Sequence, residues 1–198
     1  MKFLTDLCHL DGKKVLLASR SPRRIEMLRS LGLDFEAITA DVDENPESFS
    51  DPADFAEQNA REKARWVWQR HTADVVIAAD TIVVCDGKIF GKPSDREDAC
   101  RMLCALSGAT HQVISGICLR TPAREIIDHE ITEVTFYPLS DDEIRAYIAT
   151  GETADKAGAY AIQGFAGVFV KRMSGSYSNV MGFPLAKFYQ DLKSLTVG

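Results

Sequence analysis

The chain contains no apolar run near the ~18 residues that a membrane-crossing helix requires, so no membrane partner is expected. It is also short of positive charge: 23 Lys and Arg against 29 Asp and Glu leave a formal net charge of −6. That balance excludes a general affinity for nucleic acid or an anionic lipid surface, and any anion site must be a local cluster. Cysteine is sparse and odd in number, with Cys8, Cys85, Cys100, Cys104 and Cys118 and no Cys-x-x-Cys. This argues against a disulfide framework and for reduced thiols in a cytosolic protein. Cys100 and Cys104 stand at helical spacing, and His9, His71, His111 and His129 form no zinc-type pair. A catalytic pairing of Cys104 with His111 has no supporting feature. Met1–Asp11 lacks the basic start and apolar stretch of a secretory signal, in keeping with a cytoplasmic location. Three familiar motifs are missing as well: the Gly-x4-Gly-Lys-Ser/Thr phosphate loop, the Gly-x-Gly-x-x-Gly dinucleotide turn and the Gly-x-Ser-x-Gly nucleophile elbow.

What is present is an ordinary globular composition, 45% hydrophobic and 26% charged over 198 residues. That length suits one domain with a real core. The pattern predicts strands at 15–19, 35–40 and 75–85, and helices at 22–31 and 51–70. Asp86-Gly87 is a hairpin signal leading into 88–90. Ser94-x-x-Glu97 and Ser140-x-x-Glu143 read as capping boxes opening helices to about 106 and 150. Between them, 112–120 and 125–137 read as two long antiparallel strands, joined around Thr121-Pro122. The small, Gly-punctuated stretch 158–173 reads as strands and turns, and 184–195 as a final helix. Strands and helices alternate early and a long hairpin follows. The expected fold is a single α/β domain whose mixed, partly antiparallel sheet is flanked by helices.

Three places carry candidate chemistry. The first is the turn Ser19–Arg24, where a strand runs through Ser-Arg-Ser into Pro22, Arg23 and Arg24. Ser21 suits an N-cap and Pro22 the first helical position. A helix start offers unpaired N–H groups and partial positive charge, and guanidinium forks match phosphate oxygens. A plain strand–helix turn with solvated arginines fits the same residues. The second is Asp80, set in Val-Val-Ile-Ala-Ala-Asp-Thr-Ile-Val-Val. A carboxylate there must be paired, metal-bound or neutralised. It is then either a catalytic carboxylate at the base of a cleft, a structural partner of one buried Lys or Arg, or a residue at a bend open to solvent. The third is Gly91-Lys92-Pro93, whose lysine can meet phosphate or water alone. Lys63 flanks the apolar face of its helix, where most lysines reach out to solvent. Asp43-Glu44 offers carboxylates from an acidic loop.

Taken together, these segments resemble the Maf proteins, a family of nucleoside triphosphate pyrophosphatases. The resemblance is carried by Ser19-Arg-Ser-Pro-Arg-Arg24, Ala40-Asp-Val-Asp-Glu44, Arg61-Glu-Lys-Ala64, Ala79-Asp-Thr81, Gly91-Lys-Pro93, Leu106-Ser-Gly108 with His111, Asp155–Gln163 and Gly175-Ser-Tyr-Ser-Asn179. These occur in the family's order over nearly the whole chain, leaving residues 1–12 as an N-terminal extension. The resemblance implies an elongated α/β fold, a homodimeric assembly and a hydrolase dependent on a divalent cation, Mg²⁺ or Mn²⁺. It implies cleavage of a nucleoside triphosphate between the α- and β-phosphates. Asp80 matches the general base. Ser19, Arg23, Arg24, Lys63 and Lys92 match phosphate-binding and active-site groups, and Glu44 with Asp80 the metal-binding acids. Arg23, Thr81 and Gln163 match the dTTP/UTP-preferring branch. Ala79 departs from a common Gly. The readings kept beside it are a 7-methyl-GTP pyrophosphatase and a nucleotide-binding regulator of cell division without turnover.

Overall fold

The computed structural model describes residues 2–42 and 51–196. In chain order the elements are α1 (Phe3–Leu7), β1 (Val15–Ala18), α2 (Pro22–Ser30), β2 (Glu36–Ile38), α3 (Pro52–Arg70), β3 (Val75–Cys85), β4 (Lys88–Phe90) and α4 (Arg96–Leu106). There follow β5 (Thr110–Arg120), β6 (Glu125–Phe136), α5 (Asp141–Ala149), β7 (Val170–Ser174), α6 (Tyr177–Val180) and α7 (Leu185–Thr196). The sheet has the order β2-β1-β3-β5-β6-β7, with β4 paired to β3. β1 is parallel to both β2 and β3, whereas β4 and β7 are antiparallel to their neighbours. This is the mixed α/β sheet expected from the sequence.

The chain divides into two compact units. One holds the residues up to Asp80, Ser115–Glu130 and the stretch from Gly182; the other holds Thr81–Ile114 and Ile131–Met181. Strands β3, β5 and β6 contribute residues to both.

In the first unit β1 is buried along its whole length, as a parallel strand covered on both faces must be. Alanines bring α3 close to the sheet: Ala60 and Ala64 pack with Val67 against Leu16, Ala18, Val76, Ala78 and Cys118. The approach is tightest at Gly116 of β5, where a Cβ would run into the backbone of Ala56. α1 belongs to this unit's core. Its Leu4 and the adjoining Cys8 are buried, and the Leu4 N–H donates to the Leu31 carbonyl at 3.0 Å.

The second unit has a core of its own, with Leu103, Leu106, Val134, Phe136, Tyr147, Tyr160 and Phe169 at its centre. Asp86 and Gly87 both take positive φ (49° and 72°), the geometry of a tight hairpin turn, and so β4 folds back on β3. The Ser140 capping box forms as expected. At α4 the cap falls one residue later than the Ser94–Glu97 reading: Asp95 accepts from the Asp98 N–H at 2.7 Å, while the Ser94 N–H donates to the Asp98 carboxylate. A carboxylate serves a helix start better than a hydroxyl because it also meets the dipole. The 158–173 stretch forms short 3-10 turns at Ala157–Ala159 and Phe165–Phe169, then β7. All five cysteines are free thiols. Among the described residues, no helix is long and apolar enough to cross a membrane.

Candidate active site

Asp80 owes its place to register. Ala18, the last residue of β1, pairs with Ala78, so β3 runs on beyond the carboxyl end of β1 and carries Asp80 past it. Side chains alternate along a strand, so Asp80 shares a face with Val76 and Ala78, the face covered by α3. That helix presents Asn59 and Lys63, one turn apart, to the carboxylate. Lys63 Nζ donates to Asp80 Oδ1 at 2.6 Å and Asn59 Nδ2 donates to Oδ2 at 2.9 Å. The site is nearly dry: Asp80 is 7% exposed and Asn59 5%. Burial pushes the Asp80 carboxyl up, but the charges of Lys63 and Arg24 and the Asn59 hydrogen bond outweigh it. The group is held below the usual carboxylate range. Asp80 is therefore ionised and satisfied in the fold.

The Ser19–Arg24 turn follows β1 directly. The Ser19 hydroxyl is turned inward and accepts from the Ser21 N–H at 3.1 Å, which shapes the turn. Ser21 takes the extended N-cap conformation and Pro22 the first helical position, as expected, but the Ser21 side chain makes no capping hydrogen bond. Arg23 is half-buried. Arg24 donates from Nε to the Gly182 carbonyl at 2.8 Å and from Nη1 to the Ala79 carbonyl at 2.5 Å. It braces the backbone next to Asp80 and adds positive charge there. Lys63 departs from the solvent-reaching lysine typical of a helix flank. Its side chain is only 14% exposed, and it pairs with the buried carboxylate across the contact of α3 with the sheet.

Thr81, Lys92 and Gln163 lie in the second unit. Thr81 is half-buried, and Lys92 and Gln163 are exposed. The Gly158 N–H donates to the Gly91 carbonyl at 3.0 Å, tying the Lys92 loop to the segment that leads to Gln163. Gly158 needs its positive φ of 68°, and a Cβ there would press on Val83. His111 takes no part with Cys104: its Nε2 meets the Tyr160 hydroxyl at 2.9 Å inside the second core, whereas Cys104 is exposed. Asp43 and Glu44 lie outside the described residues.

Asn59 was not legible as a site residue. The available signal is an amide among Phe55, Ala56, Ala60 and Ala64 on the buried face of α3, four residues before Lys63. Spacing also hides a second cluster in the first unit. Glu57 Oε1 meets His129 Nδ1 at 2.6 Å, and Asp128 Oδ2 meets Lys187 Nζ at 2.7 Å. Glu57, Asp128 and His129 place one ligand atom each within 4.8 Å of one another. Lys187 pairs with Asp128 there, as Lys63 pairs with Asp80.

A family model described as Maf-like protein matches residues 14–195. The chain belongs to the Maf family. Its curated Maf relatives match over nearly their whole length. A protein of Geobacter metallireducens named dTTP/UTP pyrophosphatase is 47% identical over 187 residues, 93% of this chain and 97% of the relative. One of Geotalea uraniireducens with the same name is 49% identical over 183 residues, 91% of this chain and 94% of that one. A third, from Bacillus cytotoxicus, is 43% identical over 186 residues, 94% and 97% of the two chains.

Proposed function

We propose that this Maf-family chain hydrolyses dTTP and UTP between the α- and β-phosphates, giving the nucleoside monophosphate and pyrophosphate. The observation that carries the reading is the ionised, buried Asp80 just beyond the carboxyl end of the neighbouring parallel strand β1, held by Lys63 and Asn59 and adjoining a cationic turn. Ligands of open α/β sheets bind at such strand ends. The names of the near full-length relatives supply the substrate class.

In this reading Asp80 accepts the proton of the attacking water at a carboxylate oxygen. Water adds at phosphorus, the bridging P–O bond breaks, and the pyrophosphate leaves with the bond's electron pair. Ionisation in the resting enzyme makes the carboxylate ready to accept. The Ser19–Arg24 turn, with Arg23 and the first N–H groups of α2, binds phosphate oxygens, and Lys92 is a further phosphate ligand. Lys63 and Arg24 keep positive charge beside Asp80. Arg23, Thr81 and Gln163 discriminate the base.

The donor set suits a hard divalent cation, Mg²⁺ or Mn²⁺. Asp80 is a carboxylate, and each of its oxygens keeps a lone pair beyond the hydrogen bond described. Asp80 and Glu44 would hold the ion, with substrate phosphates completing its shell. When bound, it would offset phosphate charge and acidify water. A homodimer in the cytoplasm completes the reading, on the strength of the family resemblance.

The test is to incubate the protein with dTTP, UTP or 7-methyl-GTP and Mg²⁺, measuring pyrophosphate and orthophosphate separately. Pyrophosphate from dTTP and UTP is expected, with a drop of roughly 10³-fold in Asp80→Asn, within the range for loss of a general base. Orthophosphate as first product, or full activity in D80N, overturns hydrolysis by this route. Faster turnover of 7-methyl-GTP overturns the pyrimidine preference, and binding without release would make the chain a nucleotide-binding regulator.

A further inference from the structure

We infer that Asn59 is a positioning residue that fixes the plane of the Asp80 carboxylate for water attack, an inference that rests on the hydrolysis proposed above. Rotation about the last torsion of an aspartate is broad, so one hydrogen bond leaves the carboxylate free to turn. Lys63 alone is such a bond: a compact ammonium on a flexible four-carbon stem follows the oxygen wherever it goes. Asn59 supplies the second point. Its short side chain donates to Oδ2 at 2.9 Å while Lys63 holds Oδ1. With both oxygens tied to one helix, the carboxylate cannot turn without breaking a bond.

The chemistry fixes the direction of this bond. An ionised carboxylate only accepts, so Asn59 must present its NH₂ rather than its oxygen. An amide also orients without adding a second cation beside Lys63 and Arg24. Its location is costly in other respects. Asparagine is a poorer helix former than leucine or alanine, and an amide buried on an apolar helix face costs about 1–3 kcal/mol unless bonded. The flanking buried residues of α3 are Phe55, Ala56 and Ala60, so packing alone would favour an apolar side chain at this point.

Two variants of the full chain test this. Asn59→Leu removes the donor at similar volume, and Asn59→Asp keeps the shape but replaces the donor with an acceptor. With dTTP and Mg²⁺, N59L should lower kcat about tenfold or more and N59D further, while KM for dTTP stays within about twofold, as for an interaction realised in the transition state. A side chain that only packs would leave kcat in place. The second readout needs no turnover: the Asn59 side-chain amide protons, assigned by NMR as the pair lost in N59L, should lie downfield in the ligand-free protein and move upfield in Asp80→Ala. A kcat for N59L within twofold of the parent, or an amide pair unmoved by D80A, overturns the inference. If N59L does not fold, N59D and the amide signal decide. If the parent protein releases no pyrophosphate, the hydrolysis reading fails by itself, and the amide signal still reports whether Asn59 holds Asp80.

Discussion

In the first unit Asp80 is buried as an anion, with an ammonium on one oxygen and an amide on the other. In the second unit His111 is buried as a neutral ring, its Nε2 against the Tyr160 hydroxyl and its faces and edges among Phe136 and Tyr160. Both lie within long β-strands in dry cores, yet the surroundings act on them in opposite ways. Burial disfavours charge at both sites. At Asp80 it is overruled by Lys63 and Arg24, so the charge stays. At His111 nothing opposes it, and the ring's pKa is pushed down to about 4. A buried titratable group with opposite charges arranged around it keeps its charge in a dry site. One surrounded by aromatic rings is a packing element with a polar edge.

The largest effect should come from breaking the charge balance of the first site. Lys63→Met leaves the Asp80 carboxylate buried without its counter-ion, which should cost about 3–5 kcal/mol in urea unfolding unless the carboxyl takes up a proton. A loss under about 1 kcal/mol would mean that the pair is far better solvated than its burial indicates.

The second site should answer to acid instead. Between about pH 6.5 and the folded value of about 4, the unfolded chain binds a proton that folded His111 refuses. Stability therefore rises with pH across that window, is fully present above it and falls as pH drops through it. Lowering the pH from 7 to 5 should remove about 2 kcal/mol through this residue. The double variant His111→Phe with Tyr160→Phe should lose that component while changing neutral-pH stability by less than about 1 kcal/mol, because both polar partners leave together. An unchanged acid dependence would show that His111 is accessible to protons in the folded state.

The smallest effect marks the contrast with water. Arg101 pairs with Asp98 at 2.8 Å on the surface of α4, with the arginine 78% exposed. Arg101→Ala should shift the unfolding midpoint by an amount worth under about 0.5 kcal/mol, and 0.5 M salt should erase even that. A larger change would place the pair in a network rather than in solvent.

Much of the first site could be read along the chain, because its signals are local. A strand running into Ser-Pro-Arg-Arg announces a helix start, and a carboxylate inside a largely apolar ten-residue run announces a problem that needs a partner. The partner's identity could not be read. Lys63 looks like any helix-flank lysine until the register of β1 on β3 carries Asp80 out to meet α3. Asn59 looks like a misplaced polar residue until the same register gives it an acceptor. Arg24 could be read as a cation but not as a brace, since the Gly182 carbonyl that it grips is 158 residues away. The cap at Asp95 was missed for a smaller reason: Ser94 and Asp95 are both good caps, and the choice depends on the path of the chain into α4.

The sequence by itself determined the alternation of strands and helices, the cationic turn after β1, and the placing of Asp80 inside an apolar strand, since each follows from neighbours a few residues apart. Tertiary structure decided what Asp80 would be. Its ionisation depends on charges brought from another helix and from the turn, and Coulomb energy between groups depends on distance in space rather than along the chain. The same aspartate among other partners would be a neutral acid or a packing defect. With Lys63 and Asn59 on one helix face, it is a buried anion with both oxygens bonded.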